Sequence, residues 1–163
     1  MKIILMALLS FVALFGAEVN ESNLAASIAK CEARDGKMCF EVSYFYWNKF
    51  IDFNDDRDSE AKALIYSEKA CNLRNGAGCF DMAAAYGERI GYDKSTPHDP
   101  AKRLEYLTKG CEYNSSNSCH LLGIAYSREA RTKSGAERKA LELKAKRFYQ
   151  KACDLAPNSP CVY

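Results

Sequence analysis

The sequence predicts an all-α protein, a solenoid of antiparallel helix pairs stapled by local disulfides. Three observations predict it. The eight cysteines form four C-x7-C pairs, at 31/39, 71/79, 111/119 and 153/161. The pairs recur at offsets of 40, 40 and 42 residues, as the first cysteines at 31, 71, 111 and 153 show. Other side chains keep the same beat: Tyr66, Tyr106 and Phe148 five before a cysteine, Lys69, Lys109 and Lys151 two before, and Tyr46, Tyr86 and Tyr126 seven after the second. Self-similarity at a fixed period of this length marks stacked supersecondary units.

The chain opens as a secretory signal. Lys2 precedes an uncharged apolar run over residues 3–15, and small residues follow at Gly16 and Ala17. That run is shorter than the ~20 residues needed to span a bilayer, and polar sequence begins at Glu18. The first cysteine is Cys31, so none is placed to carry a lipid after cleavage. The expectation is a signal peptide over 1–17, cleaved near residue 16 or 17, and a repeat solenoid of about three and a half units over 18–163. The product is then secreted or periplasmic, with no stable membrane insertion. With 23 Lys and Arg against 21 Asp and Glu, the charge of +2 falls to +1 without Lys2. So even a balance argues against nucleic acid as a partner.

Each unit reads as two helices. Residues 60–73, 101–113 and 136–155 are rich in Ala, Leu, Lys and Glu, with apolar residues at helical spacing. Asp58–Ser59 and Asp99–Pro100 are expected to start helices, and Gly36 and Gly76 to end them in the left-handed conformation. The partner helices begin near Met38, Gly78 and Ser118 and carry Val42, Met82 and Leu122 inward. Ser43, Ala83 and Gly123 follow as small residues that permit close approach. Seven helices result, with a truncated eighth element near Cys161.

The cysteine spacing supports this reading independently. Residues eight apart in one continuous helix are separated by ~12 Å, whereas a disulfide needs Cα atoms about 4.4–6.8 Å apart. Each C-x7-C can therefore close only if the helix breaks and doubles back. Among the pairings of eight cysteines, only the local set (Cys31–Cys39, Cys71–Cys79, Cys111–Cys119 and Cys153–Cys161) can be repeated by every unit. Eight cysteines in an exported chain imply disulfides.

The segments Ala63-Leu-Ile-Tyr-Ser-Glu-Lys-Ala-Cys71 and Lys144-Ala-Lys-Arg-Phe-Tyr-Gln-Lys-Ala-Cys-Asp-Leu155 resemble the second helix of Sel1-like repeats, relatives of the tetratricopeptide repeat. Leu121-Leu-Gly-Ile-Ala-Tyr126 resembles the first helix. With C-x7-C at every junction, residues 21–163 are similar to the secreted cysteine-rich Sel1-like proteins of Helicobacter and its relatives. Their Gly-x-Gly-Val turn is missing here, and the segments 52–56, 87–98 and 131–135 that replace it are longer.

The resemblance implies two functions. The leading one is a scaffold for a protein or peptide partner, without catalytic residues. The alternative is a penicillin-binding protein with weak β-lactamase activity, acting on a β-lactam or a cell-wall peptide. For that alternative the chain offers Ser59-Glu-Ala-Lys62, Ser115-Ser-Asn117 and Lys133-Ser-Gly135, in the order that serine β-lactam enzymes use. Ser59 would be the nucleophile and Lys62 its partner. A thiol oxidoreductase is a third, more distant option, since C-x7-C is not the C-x-x-C of that chemistry. Neither a cofactor nor a metal is expected: His98 and His120 have no partner at ligand spacing, and C-x7-C is not a zinc spacing.

One cluster stands apart. Tyr44, Phe45, Tyr46, Trp47 and Phe50 concentrate in the first unit, whereas the matching positions later include Ala84, Ala85 and Gly87. Such aromatics either seal the exposed end of the solenoid or anchor a partner, with Tyr44, Phe45, Trp47 and Phe50 as the surface.

Overall fold

The computed structural model describes residues 18–52, 56–87 and 98–157. The expected signal peptide over 1–17, residues 53–55 and 88–97, and Cys161 with its expected bridge lie outside the described residues. Seven helices follow one another: α1 (Leu24–Glu32), α2 (Gly36–Asp52), α3 (Arg57–Asn72), α4 (Gly76–Ala85), α5 (Pro100–Glu112), α6 (Ser116–Ala130) and α7 (Gly135–Leu155). Among the described residues there is no strand, and no helix is long and apolar enough to cross a membrane.

Each helix packs on its neighbours in the chain, and α2 also meets α4, as α4 meets α6. No packing of that extent joins α3 to α5 or α5 to α7. The helices that follow each disulfide turn thus meet one another along one side of the stack, while those that precede it are joined by long side chains, Tyr106 to Glu68 and Lys151 to the Cys111 carbonyl.

The turns between cysteines explain the fold locally. Cys71 sits one residue before the end of α3, and Arg74 adopts φ 64°. The Arg74 amide donates to the Cys71 carbonyl and the Asn75 amide to the Ala70 carbonyl, at 2.9 Å each. These two bonds make a Schellman stop. Asn75 then caps α4, its side chain accepting from the Gly78 amide at 3.0 Å. Arg34 with Asp35, and Asn114 with Ser115, repeat the arrangement. Stop and cap are fused, so the two cysteines face each other with Cα atoms 4.6, 4.5 and 4.6 Å apart in the three bridges, Cys31–Cys39, Cys71–Cys79 and Cys111–Cys119. No described cysteine is free.

The structure corrects two of the expectations. Gly36 and Gly76 are not the left-handed stops; they begin α2 and α4, and Arg34, Arg74 and Asn114 hold the positive φ. The glycines answer to a neighbour instead. A Cβ on Gly76 would lie 2.5 Å from the Tyr113 carbonyl oxygen, and one on Gly36 would lie 2.9 Å from that of Leu73, so successive turns stack backbone on backbone. Likewise α3 starts at Arg57 rather than at Asp58–Ser59, because the carboxylate of Asp56 accepts from the Ser59 amide and caps the helix earlier.

Between the helices of each unit, rings on the same beat stack: Tyr46 on Tyr66, Tyr86 on Tyr106 and Tyr126 on Phe148, with centroids 5.5–5.9 Å apart and planes within 9°. Lys62, Lys102 and Lys144 lie over the first ring of each stack. The remaining core mixes small residues, among them Ala63, Ala70, Ala83, Cys39, Cys79 and Cys119, with Val42, Met82, Leu107 and Leu122.

Candidate functional site

Helix α2 presents two faces. Val42, Tyr46 and Phe50 turn inward to Ala63, Leu64 and Tyr66 of α3 and to Leu24 and Ile28 of α1. On another face Phe40, Tyr44, Trp47, Asn48 and Ile51 line a hollow of about 330 Å³. The far wall is Ala77, Phe80 and Asp81 of α4, closed at one end by Ser115 and Asn117 at the start of α6. The hollow therefore lies on the side of the solenoid where α2, α4 and α6 meet and spans three consecutive units.

The four aromatics singled out from the sequence divide between these faces. Tyr44 is 48% exposed and reaches the groove freely. Trp47 is only 9% exposed, packed edge to face on Phe50, yet part of it forms groove wall. Phe50, equally buried, and Phe45, half-buried against Tyr46, belong to the core at the first unit. The anchor surface thus contains Tyr44 and Trp47, with Phe40, Phe80 and Ile51 in place of Phe45 and Phe50. Phe40 and Phe80 occupy the same beat, one residue after each second cysteine, so that row was readable in the sequence.

Nothing in the sequence marks Asp81. Burial pushes its carboxyl up to about 7, opposed by the hydroxyl of Ser67, which lies 3.3 Å from Oδ2. Ser67 is 2.6 Å from the Ser43 hydroxyl, and Ser43 donates to the Ala63 carbonyl at 3.0 Å. A polar file thus runs from the groove into the interior through two fully buried serines. The units further along have Ala83 and Leu107 where Ser43 and Ser67 stand, so the file belongs to this interface alone.

The residues matched to β-lactam chemistry sit apart from the groove, except for Ser115 and Asn117. Ser59 is 3% exposed and its hydroxyl donates to Asp56 Oδ2 at 2.6 Å, which holds the Asp56 carboxyl below the usual range. Lys62 projects over the Tyr46 ring, 5.5 Å from its centroid. Ser115 is the cap of α6, and Lys133 pairs with Glu137 at 2.8 Å beside Gly135 at the start of α7. His120 packs against the Tyr149 ring. Among the described residues no group of His, Cys, Asp and Glu is arranged to hold a metal ion.

A larger hollow of about 600 Å³ opens on α6 and α7, between Ser127 and Tyr149. Among the described residues it draws on α6 and α7 alone. Comparison with protein-family models and with curated proteins finds no match to the chain.

Proposed function

We propose that the protein is a secreted or periplasmic scaffold that binds a protein segment in the groove along α2 and α4, in the manner of cysteine-rich Sel1-like proteins. The observation that carries this reading is the groove wall: Phe40, Tyr44, Trp47, Phe80 and Ile51 contribute apolar side chains on the side where α2 and α4 meet. Aromatic residues dominate interface hot spots because they bury much area at small entropic cost. The disulfides supply preorganisation, since they clamp both walls at their helix starts through Cys39 and Cys79. An oxidising compartment suits three such bridges.

Site-specific photocrosslinking tests it. A benzoylphenylalanine at position 44 is expected to capture a partner in cells, whereas the same probe at Ile65, equally exposed on α3, is not. Equal capture from both positions, or none from position 44, would overturn the assignment of this face. Amino-terminal sequencing of the exported protein tests the compartment, with the mature chain expected to begin at Ala17 or Glu18.

A further inference from the structure

Resting on that reading, we propose that the docked segment is held by one lysine or arginine side chain, which enters between the groove aromatics and pairs with the carboxylate of Asp81. The placement of Asp81 points to it. Asp81 is the one acidic side chain among the described residues that line the groove, set opposite the aromatics of α2. From behind, Ser67 donates to its Oδ2 at 3.3 Å. Burial makes the charged form costly, so the carboxyl titrates at about 7 in the empty groove.

A cation changes that balance. The walls carry the aromatic side chains of Phe40, Tyr44, Trp47 and Phe80, a residue type whose ring quadrupole attracts an ammonium or guanidinium group. No lysine or arginine is among the described residues that line the groove, so nothing there already neutralises Asp81. The other side chains of the lining with polar atoms are Tyr44, Trp47, Asn48, Ser115 and Asn117, and behind Asp81 stand Ser67 and Ser43. A bound cation supplies the missing charge partner, and the Asp81 proton leaves to solvent. The occupant is a polypeptide segment because the wall runs along α2 from Phe40 to Ile51, ~16 Å at 1.5 Å per residue, which matches about five extended residues.

The test selects a random heptapeptide library displayed on phage against the oxidised protein at pH 8, in parallel with Asp81→Asn and Tyr44→Ala. The Asn amide can donate to Ser67, so this variant keeps the polar file and the fold, verified by helical circular dichroism and Trp47 emission. The expected result is that the wild-type protein enriches peptides with one Lys or Arg between apolar residues. Asp81→Asn is expected to enrich apolar peptides without that preference. For the best synthetic peptide, norleucine in place of the basic residue should weaken binding at least tenfold. Its affinity should rise about tenfold from pH 6 to pH 8 as the proton that must leave is lost beforehand. Selection of apolar peptides with no basic residue, or identical selection by Asp81→Asn, overturns the cation subsite and leaves the groove as a docking face. Peptides chosen by Tyr44→Ala as readily as by the wild type overturn the docking face as well.

Discussion

Gly110 faces Ser118 across the third disulfide turn with no space for a second side chain: a Cβ on Gly110 would lie 2.8 Å from that of Ser118. The preceding turn solves the same problem in reverse. There Ala70 faces Gly78, and a Cβ on Gly78 would lie 2.6 Å from that of Ala70. Both pairs sit one residue before the two cysteines, and in these two turns the close approach leaves space for only one of the two side chains; the first bridge, with Lys30 and Met38 at the matching positions, is not under that constraint.

Gly110→Ala is therefore expected to destabilise the protein by about 1–3 kcal/mol, the usual cost of overpacking. Adding Ser118→Gly recreates the Ala70–Gly78 arrangement and should recover most of the loss. Urea midpoints of the two single variants and the double variant measure this directly. Additive losses would show that the two positions are not competing for one space.

The left-handed residues offer a gain. Arg34 adopts φ 70°, a conformation that a side chain with a Cβ disfavours by roughly 1–2 kcal/mol. Glycine removes that strain but adds freedom to the unfolded chain, so Arg34→Gly should stabilise by about 0.5–1 kcal/mol. Arg74→Gly should gain less, because Arg74 also lies over the Tyr113 ring at 5.3 Å. Thermal midpoints of the two variants, compared at one pH, decide the order.

Asp81 makes stability depend on pH in an unusual direction for a carboxylate. Its folded pKa of about 7 is above the 3.8 of the unfolded chain, so the folded state holds the proton more tightly. The contribution is fully present below about pH 4 and is lost as pH rises through 7. It amounts to a few kcal/mol, since each tenfold gain in proton affinity on folding is worth ~1.4 kcal/mol. Urea titrations at pH 5 and pH 8 are expected to show the protein weaker at pH 8, and Asp81→Asn should abolish that difference.

Ser59 is expected to be structural. Its hydroxyl is committed to Asp56 at the start of α3, so Ser59→Ala should cost about 1 kcal/mol, as loss of a capping partner does. Incubation with benzylpenicillin should leave the intact mass unchanged. An added mass mapped to Ser59 would instead establish the β-lactam reading.

Much of the fold was legible because its signals are local. Cys71 and Cys79 can meet only across a reversal of the chain, which marks the helix boundaries and the pairing within that turn. Tyr46, Tyr66 and their counterparts keep one beat because every unit reuses one packing, so the helix pairs and their stacking were readable as well. The site was less legible. Gly36 and Gly76 look like helix stops, yet they are there because the next turn presses a backbone carbonyl against them, and that neighbour is remote in sequence. Trp47 and Phe50 are three residues apart in one aromatic run, and only the position of α1, α3 and α4 around α2 decides which of them borders open space. Asp81 shows the difference most clearly. In the sequence it is one acidic residue among 21. Its burial, and the two serines behind it, arise where α2, α3 and α4 converge. A charge acquires its chemistry from the dielectric and the partners around it, and those exist only once the helices have packed.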